Sequence, residues 1–302
     1  MSVVVLLVHD ARPEAVVAAH DLLDWLRSAG HEARLGADDA AALDRRDLAV
    51  PAGSIGAGSI GAGADLAVTL GGDGTVLQAV GLLAECEVPV VGVNVGHLGY
   101  LTEFDVSEMT SVVQAALAGE LPVEHRMMIQ ATVERGGART EHAVGGTAAD
   151  TADGPWLGLN EAVLEKRDPG HTVRMEVLFD GCEFATYAAD GLIVSTPTGS
   201  TAYNLSAGGS VVDPTHRALQ LTPVAPHMLF DRSILVGGDA EIRCRVLGTR
   251  SANLAVDGRS VATLDEGDVL VATRAEVAAR LVTSDSMSFH AVLKQKLGLK
   301  DR

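Results

Sequence analysis

The chain predicts an α/β domain built on an open sheet, then an all-β sandwich, then a C-terminal helical segment that returns to the first domain. Three observations carry that prediction. Up to about residue 120, continuous apolar runs alternate with helically spaced segments; beyond it, short β-forming runs are separated by turn dipeptides; the last stretch resumes helical spacing. At 302 residues the chain exceeds the usual extent of one hydrophobic core, which favours two domains. The expected division is 1–122, 123–284 and a returning segment 285–302.

Val3–Val8 is apolar throughout, as a strand covered on both faces of a parallel sheet must be. Pro13–Ala29 spaces Val16, Val17, Leu22, Leu23 and Leu26 for a helix that Gly30 closes. A short strand is expected at Glu32–Leu35, and buried strands at Asp65–Leu70 and Val88–Asn94 with a helix at Thr75–Ala84 between them. Asp105–Ala118, closed by Gly119, predicts a further helix. This βαβ progression is Rossmann-like, and such sheets bind ligands at the carboxyl ends of their strands. Gly53–Gly63 stands apart: a duplicated GSIGA unit without core-forming pattern, it reads as a surface loop, with a phosphate-covering lid as the alternative.

The second half predicts strands at His125–Glu134, Leu157–Glu165, Thr172–Phe179, Glu183–Ala188 and Leu192–Ser195. Others follow at Ser233–Val236, Ala240–Leu247, Leu254–Val256, Val269–Thr273 and Ala279–Thr283. Asp180-Gly181 and Asp257-Gly258 are hairpin signals. Ser288–Leu299 closes the chain as a helix carrying Phe289, Val292, Leu293 and Leu297.

Hydrophobic residues make up 47% of the chain but aromatic ones only 3%, so the cores must be built from Val, Leu, Ile and Ala. A net charge of −17 argues against nucleic acid or an anionic membrane as partner, since phosphate backbones require a basic footprint. Cys86, Cys182 and Cys244 are scattered without metal or disulfide spacing. The apolar opening lacks a basic n-region and no run reaches the ~18–20 residues of a membrane span. A soluble, cytoplasmic protein is expected.

Gly71-Gly72-Asp73-Gly74-Thr75 is the densest motif of the first half. It joins an apolar strand to a helix, and its glycines allow close backbone approach to a ligand. Backbone N–H groups there, with the helix N-terminus, form an anion cradle. A carboxylate inside such a cradle is unfavourable unless it binds a metal or takes a proton from a nucleophile, and phosphoryl transfer needs both tasks done. The same residues also read as a plain turn in which Asp73 caps the helix.

Two features of the second half point to a nucleoside. Asn160-Glu161 interrupts an apolar strand, and an asparagine amide pairs with an adenine edge while a glutamate accepts from a ribose hydroxyl. The run from Asp190 to Gly209, DGLIVSTPTGSTAYNLSAGG, feeds a strand into small hydroxyl residues and Tyr203. Those hydroxyls suit a ribose and a base edge, or alternatively satisfy turn backbone.

Taken in order, GGDGT, GVNVGHLGYLTE, LNEAVL, DGLIVSTPTGSTAYNLSAGG and Ala225-Pro226-His227 closely resemble the NAD kinases, over about residues 65–260. That resemblance implies a Rossmann-like domain paired with a β-sandwich, NAD bound between them, and a homodimer or homotetramer. It implies transfer of the terminal phosphate of ATP, with Mg²⁺ or another divalent metal, or of polyphosphate, to the 2′-hydroxyl of the adenosine ribose of NAD. By the same resemblance Asp73 is the general base; Gly71, Gly72 and Thr75 form the phosphate loop; and Gly74 and Tyr100 lie at the substrate. Asn160 and Glu161 hold the adenosine portion; Thr201, Ala202, Tyr203 and Ser206 line the adenine pocket; and Asp190 and His171 contact the substrate. No metal ligand is assigned to the protein. The chain departs from the family at Gln78 and Ala188, where many bacterial members are basic, and at Arg259, where Gln is frequent. Two other readings are a non-catalytic or weakly active NAD(P)-binding sensor and a lipid kinase sharing the GGDGT loop, to which the STPTGSTAY segment is foreign.

Overall fold

The computed structural model describes residues 1–50, 59–96, 99–136, 153–284 and 288–298. Positions 53–58 of the glycine-rich repeat, and His97 and Leu98, lie outside the described residues. Met1–His125 together with Ala279–Arg302 form one compact unit, and Arg126–Ala278 form a second.

In the first unit β1 (Val3–Val8), β2 (Glu32–Leu35), β3 (Leu66–Gly71) and β4 (Val90–Asn94) pair in parallel, in the order β2-β1-β3-β4. The short β5 (Phe104–Asp105) pairs in parallel beside the carboxyl end of β4. Helices α1 (Pro13–Ser28), α2 (Ala37–Ala42), α3 (Asp73–Leu83) and α4 (Met109–Leu117) occupy the connections. On α1, Ala15, Ala18, Ala19, Leu22, Leu23 and Leu26 are buried, the spacing of a single apolar face. They share a core with Val4, Leu6 and Val8 of β1, whereas Val17, expected on that face, is exposed. Strand order runs outward from β1 on both sides, so the connections reverse between β1 and β3. In open α/β sheets that reversal opens a crevice at the carboxyl ends of the two strands.

The second unit contains β6 (Val123–Glu134), β7 (Trp156–Gly158), β8 (Glu161–Lys166), β9 (Val173–Phe179), β10 (Cys182–Ala189) and β11 (Gly191–Ser195). It continues with the one-turn α5 (Tyr203–Ser206), then β12 (Ala218–Val224), β13 (Ile234–Gly237), β14 (Ile242–Leu247), β15 (Ala252–Val256), β16 (Arg259–Leu264) and β17 (Val269–Val282). One sheet runs β13-β12-β11-β8-β15-β16, antiparallel throughout. The other layer is β10-β9-β14-β17, with β6 beside β17 and β7 beside β6. Burial alternates along β14 and β15, so Ile242, Cys244 and Val246 of one sheet meet Ala252, Leu254 and Val256 of the other in a single core. This is a β-sandwich. The chain then returns to the first unit, where Leu281 and Val282 pair in parallel with Val90 and Val91. Helix α6 (Phe289–Lys296) follows, capped by Ser288 and burying none of its residues.

Several elements differ from expectation. The apolar run 157–165 is two strands separated at Leu159-Asn160, and residues 269–282 are one strand instead of two. Strands β12 and β16 and helix α2 were not anticipated. Pro223 argues against a strand in β12, yet β13 pairs with Ala218–Leu221 only, so at Pro223 that side of β12 needs no donor.

Candidate active site

The crevice at the β1–β3 reversal is a cavity of about 440 Å³. Its wall comprises Val8 at the end of β1, His9, Asp10 and Arg12 after it, and Gly72, Asp73, Gly74, Thr75 and Gln78 at the start of α3. Gly72 is the N-cap of α3 and supplies no side-chain cap; the Thr75 N–H bonds back to the Gly72 carbonyl, which leaves the Asp73 and Gly74 amides for water or an anion. Asp73 is the first helical residue, not the cap. Its carboxylate points to the neighbouring loop: Oδ2 accepts from the Tyr100 N–H at 2.8 Å and Oδ1 from the Leu101 N–H at 2.9 Å. Two main-chain donors thus fix the orientation of the carboxylate while each oxygen keeps further accepting capacity.

Glycines make this approach possible. A Cβ on Gly99 would lie 1.9 Å from Asp73 Oδ1, and one on Gly71 would lie 2.2 Å from Thr75 Oγ1. Gly71 is itself buried at the end of β3, so its part is close packing under Thr75. Arg12 donates through Nη1 to the Val95 carbonyl, where Gly96, at φ +113°, leaves the guanidinium room. The Tyr100 hydroxyl has its pKa raised by burial, with the Asp73 charge adding to it. Lys296 of α6 sits 5.0 Å above the Tyr100 ring.

In the second unit the break between β7 and β8 is held by Asp257. Its carboxylate accepts from the N–H groups of Leu159 at 2.7 Å, Asn160 at 2.8 Å and Glu161 at 3.2 Å. Asp257 adopts φ +46° at the hairpin before Gly258. Burial outweighs those amide bonds and leaves its pKa raised. Glu161 is buried, with no partner for Oε2. Burial first, and the Asp257 charge second, push its pKa up to about 8, so it is a neutral acid near pH 7 that donates as well as accepts.

The hydroxyl-rich turn packs on the same break. Thr196 Oγ1 donates to the Leu159 carbonyl at 2.5 Å and accepts from the Gly199 N–H at 3.1 Å. A Cβ on Gly199 would fall 2.1 Å from the Asn160 carbonyl oxygen, so glycine is required there. Ser200 bonds to Val212 in both directions, and Asn204 joins Ser200, Gln220 and Thr222. Much of the run therefore satisfies its own turn. What remains is Thr198 Oγ1, buried without a partner, and Tyr203, 41% exposed at the start of α5.

The structure thus groups Gly72, Asp73, Gly74, Thr75 and Tyr100 in the first unit. In the second, Asn160 and Glu161 lie beside the turn that carries Thr201, Ala202, Tyr203 and Ser206. Asp190, between β10 and β11, forms an ion pair with Lys166 at 2.7 Å, so that lysine is not a spare charge. His171 is exposed in the connection between β8 and β9 and is brought to none of the others by a hydrogen bond. Sequence reasoning missed His9, Asp10, Arg12 and the role of Asp257. For Asp257 the signal was the Asp-Gly dipeptide, read only as a turn. Among the described residues no group of three or more His, Cys, Asp or Glu is placed to hold a metal ion.

Profiles of the ATP-NAD kinase N-terminal domain and the ATP-NAD kinase C-terminal domain match residues 55–121 and 159–284. The NAD kinase of Symbiobacterium thermophilum is 39% identical over 97% of this chain and 97% of its own length. The chain belongs to the NAD kinase family. The NAD kinase of Moorella thermoacetica is 38% identical over 95% of this chain and 86% of its own length. The crystal structure of a yeast NADH kinase complexed with NADH superposes with a TM-score of 0.86 at 24% identity, covering all of this chain and 89% of that one. An NAD kinase from Archaeoglobus fulgidus in complex with ATP gives 0.72 at 21% identity, covering 99% of this chain and 100% of that one. At these identities the solved structures speak to the fold: a mixed α/β unit and a β-sandwich. As an NAD kinase family member the chain is a phosphotransferase, and the bare-turn reading of the GGDGT loop falls away with the geometry of Asp73.

Proposed function

We propose that this chain transfers the terminal phosphate of ATP to the 2′-hydroxyl of the adenosine ribose of NAD, with Asp73 as the base that takes the hydroxyl proton. The observation that carries this reading is the carboxylate of Asp73, fixed by the Tyr100 and Leu101 amides at the uncapped start of α3 and lining a cavity. A ribose hydroxyl is a poor nucleophile at neutral pH, and a positioned carboxylate removes its proton as the new P–O bond forms. The free amides of Asp73 and Gly74 are suited to phosphate oxygens, and Mg²⁺ enters with ATP as part of the donor. In the second unit Asn160, neutral Glu161 and Tyr203 supply the donors, acceptors and ring that an adenosine requires, with Thr201, Ala202 and Ser206 around them and Asp190 and His171 toward the rest of the dinucleotide. The reading includes a cytoplasmic homodimer or homotetramer and a division into domains at 122 and 284. Initial rates of NADP and NADPH formation from NAD and NADH, each with MgATP and with polyphosphate, test it. Product from NAD with MgATP is expected; nucleotide binding without product from any pair would replace the kinase by a sensor.

A further inference from the structure

The cavity at the β1–β3 reversal carries one permanent cation among its lining residues, and that cation lies on neither glycine-rich loop. Arg12 stands just ahead of α1, half-buried, with Val8, His9 and Asp10 preceding it along the same wall. Its guanidinium is not loose: Nη1 donates to the Val95 carbonyl beyond β4. Glycine at 96 keeps that seat open, since a Cβ there would fall 2.9 Å from Nη1. A guanidinium has five N–H donors in a planar fork, so a single carbonyl bond orients it and leaves the other donors for a ligand. The same cavity is lined by Asp73 and Gly74, whose amides at the start of α3 are uncapped. Asp10 and Asp73 line the same cavity, and Gln78 on α3 is neutral. A polyanion entering between two carboxylates meets repulsion that the amides alone do not offset, and Arg12 is the group placed to offset it.

We propose that Arg12 is a phosphate-binding residue of this cavity, gripping a phosphate chain against the α3 amides. This rests on the phosphotransferase reading above. Two phosphate chains enter the reaction, the triphosphate of the donor and the pyrophosphate of the acceptor dinucleotide, and they share the chemistry that Arg12 recognises.

The test is steady-state kinetics on the full chain with MgATP and NAD varied separately, for wild type, Arg12→Gln, Arg12→Lys and Gln78→Lys, with thermal unfolding recorded for each. Loss of a charge-assisted hydrogen bond predicts a KM increase of roughly 10–100-fold in Arg12→Gln for one of the two substrates. A rise for MgATP assigns the donor triphosphate, and a rise for NAD assigns the dinucleotide pyrophosphate. Arg12→Lys is expected to recover part of the loss, because it keeps the charge without the fork. Gln78→Lys places a second cation in the same cavity and is expected to lower the same KM, in the wild-type background and in Arg12→Gln. A role limited to pinning Val95 would not respond to a charge at position 78. Unchanged KM values for both substrates in Arg12→Gln overturn the proposal. If Arg12→Gln does not fold, failure of Gln78→Lys to lower either KM overturns it. Absence of product from the wild-type chain would instead strike the phosphotransferase reading itself, so the two failures are separable.

Discussion

The proposed base, Asp73, is held by backbone and not by other side chains. Asp73 takes its orientation from two amides; an Asn keeps one of them through Oδ1 and turns its donor NH2 to the other, so it removes the base at the cost of one loop bond. Asp73→Asn is therefore expected to lower turnover by about 10²–10⁴-fold while nucleotide binding, measured by calorimetry, largely survives. Near-wild-type turnover would remove Asp73 from the mechanism. Gly99→Ala works from the other side. With a Cβ 1.9 Å from Oδ1, the loop must move off the carboxylate, and turnover is expected to fall although no catalytic atom has been deleted. The glycine-flanked acid was legible in the sequence because an acid in an anion cradle contradicts local electrostatics. Asp257 was not, because an Asp-Gly dipeptide has a sufficient local explanation as a hairpin. Its bonds to residues 159–161 are set by a register that no local pattern encodes.

Among the elements, the turn after β11 depends on one buried amide. Asn204 Oδ1 accepts from the Thr222 hydroxyl at 2.6 Å, and Nδ2 donates to Gln220 Oε1 and the Ser200 carbonyl at 3.4 Å each. Thr222 and Gln220 are themselves buried, so Asn204→Ala strands the Thr222 hydroxyl and Gln220 Oε1, although Gln220 Nε2 keeps its bond to the Ser210 carbonyl. A loss of about 2–4 kcal/mol is expected in urea unfolding, with the β11–α5 region the first to lose amide-exchange protection. The elements most legible beforehand were those with one dominant pattern: β1, β3 and β4 as unbroken apolar runs, α1 by its spacing and Gly30. The rest were hidden by composition. Helix α2 is a six-residue Ala-Asp stretch with only Ala40 buried, too short for a period to show. Strand β12 carries a proline. The 157–165 run reads as one strand because the break at Leu159-Asn160 is imposed by Asp257, almost a hundred residues away in the chain.

At the scale of the whole molecule, the buried Glu161 and the half-buried Asp39 make stability depend on pH in an unusual direction, with Asp257 acting in the same sense. Glu161 is raised from 4.5 to about 8 and Asp39 from 3.8 to about 6, in both cases chiefly by burial. Between the unfolded and folded values the native chain keeps a proton that the unfolded chain has released. Each group therefore contributes stability below its unfolded pKa that is lost as pH rises through its folded pKa. Stability is expected to fall from about pH 4 to pH 8, by at most about 1.4 kcal/mol per pH unit for each group. Glu161→Gln is expected to flatten the upper part of that decline and Asp39→Asn the lower part, as read from denaturant midpoints across the range. A slope unaltered by both substitutions would place the protons elsewhere.

The last strand has a consequence for how the chain is made. Leu281 and Val282 complete the β4 side of the first sheet, beside Val90 and Val91, although nearly two hundred residues separate them in synthesis. The polypeptide leaving the ribosome must build most of the sandwich before the edge of its opening sheet is covered. Until then β4 presents unpaired amides and carbonyls, a template for other nascent chains. A fragment of residues 1–125 is expected to aggregate on expression, and adding residues 279–302 is expected to restore solubility. The first part of this protein to appear is among the last to be finished.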